Sequence, residues 1–347
     1  MMKSPLFLTA LMSASILAAP AADSTRTVKV FILAGQSNMQ GHGFVQADPT
    51  RNEGKGSLEY LAREADTASR FAHLKAPDGS WRVRDDVWIH YLDRKGALTV
   101  GFGANPERIG PDLGFGHVVG DHYEEPVLLI KLAWGGKSLA QDFRPPSAGG
   151  ETGPFYKEVI TRTQDVLANL GRHFPELKDA SPQLIGFGWH QGWNDRINQA
   201  FNDAYATNLT YFIHDIRRDL KAPKLPFVIA ETGMSGREET HPRALSLMRH
   251  QAEVAEQPEF VGNVAFVGTR DFFRPLEQSP TGQAYHWNTN AETYYLIGEA
   301  MGQAMLRLVQ QQVGEKLHSP FQHVWKAGSR RRQEADFVVR WLPDTTS

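Results

Sequence analysis

Three short apolar runs, each ending in a glycine-bearing polar cluster, constrain this chain more than any other feature. Residues 30–34 (VFILA) lead into Gly35-Gln36-Ser37-Asn38. Val127–Ala133 (VLLIKLA) leads into Trp134-Gly135-Gly136-Lys137-Ser138, and residues 184–189 lead into His190-Gln191-Gly192-Trp193-Asn194-Asp195. A continuous apolar run of this length suits a strand covered on both faces, where neither side can be polar. Phe227–Ala230 and Val264–Val267 are two further runs of the same kind. Between them, residues 155–170, 201–220, 243–256 and 291–311 carry apolar positions at helical spacing. Strands alternating with amphipathic helices predict an α/β chain with a parallel sheet and helices on both faces. In such a fold, functional residues collect beyond the C-terminal ends of the strands. The three polar clusters are therefore expected on one edge of the sheet. Two weaker signals are a helix within residues 51–70, from Leu58, Leu61, Ala62 and Ala65, and a peripheral strand at Val87, Ile89 and Tyr91.

Composition removes several classes of function. The formal net charge of the 347 residues is -2, so no nucleic-acid partner is expected. There are 13 His and no Cys, which excludes disulfides, thiolate catalysis and Cys-ligated zinc. No H-E-x-x-H, P-loop or G-x-G-x-x-G pattern occurs, and neither metal nor cofactor is expected. Lys3, the apolar residues 6–18 and the small residues Ala19-Pro20-Ala21 form a secretory signal pattern, too short to span a bilayer comfortably. The expected organisation is a signal peptide at 1–21, a catalytic domain at 22–314 and a C-terminal extension of unassigned role at 315–347. The mature protein is then periplasmic or secreted, with no membrane attachment after cleavage. Nothing in the sequence sets an oligomeric state.

Acyl transfer needs a nucleophile, a base in reach of it and donors aimed at the developing oxyanion. Ser37, at the exit of the first strand, is placed to be a nucleophile; it is equally suited to capping the next helix. Met39 stands where the α/β-hydrolase elbow G-x-S-x-G has its second Gly, so that fold is not indicated.

The four segments GQSNMQGHG, WGGKS, HQGWND and YHWNTNAETYYLIG together resemble the SGNH-hydrolase superfamily. Within it they are most similar to the sialate O-acetylesterase/acetyl xylan esterase branch, carbohydrate esterase family 6. The resemblance runs from about residue 28 to 311. It implies a single-domain, three-layer α/β/α fold of flavodoxin type, with a central, mostly parallel, five-stranded sheet. It also implies a serine esterase that removes O-acetyl groups from carbohydrates through an acetyl-serine intermediate. By position in the motif order His286 is the implied base, and His190, after the third strand, is the runner-up. The implied oxyanion donors are the Ser37 N–H, a glycine N–H after the second strand, and a side-chain amide after the third. Gly136 is favoured over Gly135 for the second, and Gln191 and Asn194 are both open for the third. The family commonly carries an Asp two or three residues before its His, where this chain has Gln283 and Ala284. Asp271, a backbone carbonyl near Gln283 or Ala284, or Glu292 could orient the imidazole instead. Trp134, Trp189, Trp193 and Trp287 flank the expected site and could stack on sugar rings. The missing Asp leaves a second reading, a carbohydrate-binding protein on the same scaffold with weak or no catalysis.

Overall fold

The computed structural model describes residues 26–314. The expected signal peptide and C-terminal extension lie outside them. Strand β1 (Thr27–Gly35) is the centre of the fold. Its side chains alternate between two apolar cores, Phe31 and Leu33 on one face and Val30 and Ile32 on the other. Strands β2 (Val87–Tyr91), β3 (Arg94–Ala97), β4 (Val127–Ala133), β5 (Ser181–His190), β6 (Phe227–Ala230) and β7 (Val264–Val267) complete one sheet. Its order is β3-β2-β4-β1-β5-β6-β7, parallel throughout except for the antiparallel pair β2–β3.

The expected α/β architecture is present, but the sheet has seven strands rather than five. The peripheral strand at Val87 joins the sheet as β2. It turns back through Leu92, at φ 52°, into β3, whose Arg-Lys-Gly-Ala sequence has no apolar run to announce it. The single helix expected within 51–70 is broken. Asn52, Glu53, Gly54 and Gly56 all take left-handed backbone angles, and only short helical turns such as Leu58–Leu61 form.

Helices α2 (Pro111–His122) and α6 (Ala291–Val313) pack together on one face of the sheet, with Phe31 and Leu33 beneath them. Helices α3 (Pro154–Ala168), α4 (Tyr205–Asp219) and α5 (Pro242–Ala255) contribute to the core on the other. Among the described residues, no helix is long and apolar enough to cross a membrane.

One buried cation braces this frame. Lys131, midway along β4, is fully buried, and its ammonium pairs with Asp112 in the first turn of α2. The same ammonium donates to the carbonyls of Gln40 at 2.6 Å and Phe102 at 2.7 Å. Burial pushes Lys131 down and Asp112 up, while their mutual attraction opposes both shifts. Removing one partner leaves the other charge buried and alone, which costs about 3–5 kcal/mol. Lys131→Met is therefore expected to lose about that much stability in urea denaturation, with part of it recovered in Lys131→Met/Asp112→Leu. A loss below about 1 kcal/mol, the level of an exposed pair, would contradict this role.

Candidate active site

The first polar cluster is a turn built onto β1. Gly35 lies against β5 so closely that a Cβ there would run into the His190 carbonyl. The chain then enters the four-residue helix α1 (Ser37–Gln40), with Ser37 at its first position and 9% exposed. The first N–H groups of a helix have no intrahelical acceptor, so the Ser37 N–H is open to a ligand. Gln36, buried, ties this turn to the third cluster. Its Oε1 accepts from Gly192 N at 3.1 Å, Gln191 Nε2 at 3.3 Å and Asn194 N at 3.4 Å. Its Nε2 donates to Asn194 Oδ1 at 3.2 Å.

Those bonds separate the two side-chain amides that sequence left open. Gln191 is fully buried, and its Nε2 is taken up by Lys137 O at 3.0 Å and Asp195 Oδ2 at 2.6 Å as well as by Gln36. It is a structural tie between loops. Asn194 is half-buried, and the Gln36 bond to its Oδ1 leaves its NH₂ for another acceptor. Asp195 clamps the second cluster in place by accepting from Leu139 N at 2.8 Å and Ala140 N at 2.9 Å. Burial lifts its carboxyl to about 6, against the pull of these hydrogen bonds. In that cluster the glycine beside the serine is Gly135. A Cβ on it would sit 3.9 Å from Ser37 Cβ and 3.0 Å from Gln40 Oε1. Gly136, the glycine favoured from sequence, has nothing within 4 Å of such a Cβ.

His286 arrives on the segment that precedes α6. The three residues after it, Trp287, Asn288 and Thr289, have φ of 53°, 53° and 55°. Left-handed angles at non-glycine residues cost about 1–3 kcal/mol each and persist only where the surroundings impose them. Here Trp287 is fully buried, Asn288 Nδ2 donates to Arg274 O at 3.0 Å, and Thr289 Oγ1 bonds Thr281 Oγ1 at 2.9 Å. The segment is fastened to the serine turn. Asn38 Nδ2 donates to Tyr285 O at 3.1 Å, and the Tyr294 hydroxyl donates to Asn38 Oδ1 at 2.8 Å while lying 3.2 Å from the His286 carbonyl. His42, from the serine motif, stacks on the His286 ring at 3.7 Å and 8°. Burial holds His286 down at about 4 and His42 at about 3, the latter also repelled by His286. Both rings are neutral near pH 7.

The side chain that meets the His286 imidazole is one that sequence did not weigh. His286 Nδ1 faces the side-chain Oε1 of Gln283 at 3.1 Å. Both Asp271 oxygens accept from Arg237 at 2.7 Å, and Glu292 accepts from Arg274 at 2.7 Å, so each carboxylate is held by an arginine. His190 is fully buried and kept down at about 4 by that burial, out of reach of a substrate. Trp189 and Trp287 are also buried and cannot meet a sugar. Trp134 packs on Phe155 at 5.0 Å. Trp193 remains half-buried at the rim, 5.6 Å from the ring of Tyr285, which is 41% exposed. Among the described residues, no group of three or more His, Asp or Glu is arranged to hold a metal ion.

Between residues 27 and 307 the chain matches the family model described as carbohydrate esterase, sialic acid-specific acetylesterase. A probable carbohydrate esterase of Arabidopsis thaliana is 25% identical over 203 residues, covering 58% of this chain and 67% of that protein. The solved structure of an Arabidopsis thaliana protein covers 80% of this chain and 97% of its own, at 17% identity and a TM-score of 0.51. It shares the fold. A carbohydrate acetylesterase of Xanthomonas citri aligns over 83% of this chain and 57% of its own, at 14% identity and a TM-score of 0.49.

The two glycines after β4 should respond differently to a methyl group. Gly135→Ala places it against Ser37 and Gln40, and is expected to cut ester hydrolysis with little change in the melting temperature. Gly136 has φ 69°, so Gly136→Ala is expected to cost about 1 kcal/mol or more of stability and to leave hydrolysis largely intact. Turnover and thermal melts of both variants check this, and the reverse pattern contradicts the assignment.

Proposed function

The chain belongs to the carbohydrate esterase family of sialic acid-specific acetylesterases, and from that premise we propose that it is a secreted serine esterase removing O-acetyl groups from carbohydrates through an acetyl-serine intermediate. The observation that carries the reading is the hydrogen-bonded joining of three strand-end clusters and one late loop. Gln36 ties Ser37's turn to Asn194, and Asn38 ties the same turn to the His286 segment. Ser37 Oγ attacks the acetyl carbonyl while His286 Nε2 takes its proton. The oxyanion is met by the Ser37 N–H, the Gly135 N–H and Asn194 Nδ2. As the bond from the acetyl carbon to the sugar oxygen breaks, His286 returns the proton to that oxygen and the sugar leaves as an alcohol. Water, deprotonated by His286, attacks the acetyl-serine, and acetate leaves as Ser37 regains its proton. Preorganised donors of this kind act strongly because they need no rearrangement when charge develops.

The proposed substrate is an acetylated carbohydrate, approaching past the rim formed by Trp193 and Tyr285. Removal of residues 1–21 on secretion, a catalytic domain over 22–314 and a separate extension over 315–347 complete the proposal. A protein that mainly binds acetylated glycans is the second reading, supported by the neutral group at His286 Nδ1.

Acetate release from acetylated xylan and O-acetylated sialosides tests the two. Release by the wild type and its loss in Ser37→Ala are expected; glycan binding without release would favour the second reading. Asn194→Ala is expected to lower kcat by about 10²–10³, the usual effect of losing one oxyanion donor. The pH profile is a separate check. The base must be neutral, and His286 is held at about 4 rather than 6.5. Hydrolysis should therefore stay level as pH falls from neutral and be lost only as it passes through about 4. The free-enzyme value is read from kcat/KM.

A further inference from the structure

The ring of His286 has an amide where an orienting carboxylate would stand. Gln283 Oε1 lies 3.1 Å from His286 Nδ1, and Gln283 Nε2 donates to the Tyr285 hydroxyl at 2.7 Å. An oxygen acceptor at Nδ1 requires the proton to be on Nδ1. Nε2 is then a bare acceptor, the form a base needs. The opposite orientation of the amide would offer N–H to Nδ1, move the ring proton to Nε2 and disable the base. A carboxylate has no N–H and imposes one tautomer, whereas an amide imposes one only if it is held the right way round. In the structure the amide N–H goes to the Tyr285 hydroxyl and Oε1 faces the imidazole.

We propose that Gln283 is the positioning residue of this active site, its side-chain oxygen selecting the Nδ1–H tautomer of His286 in place of a carboxylate. The inference rests on the Ser37–His286 reading. It separates two tasks that a carboxylate performs together. The amide sets the tautomer, but it carries no charge with which to stabilise the imidazolium formed as Ser37 loses its proton. Among the described residues, nothing else near the ring supplies that charge. The ionisable groups that meet it are His42, stacked on its face and neutral, Tyr285, whose ring centre lies 4.5 Å away, and Tyr294, whose hydroxyl is at the His286 carbonyl. Asp271 and Glu292 are engaged by Arg237 and Arg274.

Glutamate is isosteric with glutamine and adds the missing charge, so Gln283→Glu is the informative variant. With p-nitrophenyl acetate as the substrate, Gln283→Glu is expected to raise kcat and to move the acid limb of kcat/KM up from about 4 toward the ordinary 6.5. Gln283→Leu is expected to lower kcat by about 10²-fold at unchanged KM, the low end of what a positioned base contributes. Nitrogen NMR of the His286 ring in the wild type should find the proton on Nδ1, a reading that does not depend on either variant folding. A proton on Nε2, an acid limb unmoved in Gln283→Glu, or an unchanged kcat in a folded Gln283→Leu would each overturn the proposal. Ser37→Ala and His286→Ala are run alongside. Activity surviving those two would mean that the underlying assignment had failed, rather than the role of Gln283.

Discussion

The Lys131 ammonium is the interaction on which the site's frame depends. It sits in the interior strand β4 and reaches three separate pieces of chain: the end of α1 through Gln40, the segment at Phe102, and the start of α2 through Asp112. A buried charge is costly unless it is paired and its remaining donors are filled. Here the carboxylate supplies the pair and two carbonyls fill the other donors. The helix end that accepts from Lys131 belongs to the same four residues that carry Ser37, so the brace also steadies the Ser37 turn. Both charges are buried, away from any surface where salt or water would weaken their pairing.

Above that brace, the site is assembled almost entirely by neutral amides. Gln36 joins the serine turn to the loop after β5, Asn38 joins it to the histidine segment, and Gln283 meets the imidazole. An amide both donates and accepts, so one side chain can satisfy two loops at once. Gln36 does so with four bonds. A consequence is that no formal charge is bonded to the His286 ring, and burial alone sets its low proton affinity. The strained turn from Trp287 to Thr289 is held by the same kind of neutral contact, through Asn288 and Thr289.

Much of this was legible in the chain itself, and the failures have physical causes. The runs at β1, β4 and β5 were readable because a strand buried on both faces must be apolar throughout. Strand β3 was not, because an edge strand of Arg-Lys-Gly-Ala is held by pairing to β2 rather than by its own burial. The helix expected within 51–70 had the spacing of one, but Asn52, Glu53, Gly54 and Gly56 are left-handed and take its first residues out of the helix, leaving the short turn Leu58–Leu61, and spacing does not report backbone angles. Asp271 and Glu292 were reasonable candidates by charge; in the structure they are bonded to Arg237 and Arg274. Trp189 and Trp287 were near the site in sequence and are core residues in space.

The sequence by itself determined the fold class, the edge of the sheet on which the polar clusters would lie and the family resemblance, because strand burial and motif order are written in residue types. Only the tertiary structure shows which neighbours each candidate group has: Gln191 is engaged by three acceptors while the Asn194 NH₂ is left over, Gly135 rather than Gly136 lies against Ser37, and Gln283 meets the His286 ring. Each of these differences turns on which donor is already engaged and which atom lies against Ser37 or His286. Such distances are set by how β1, β4, β5 and the segment before α6 pack together, and no residue carries them alone. The apolar runs announce where the polar clusters will gather, and the packing of the amides around them determines which of their atoms are left unengaged.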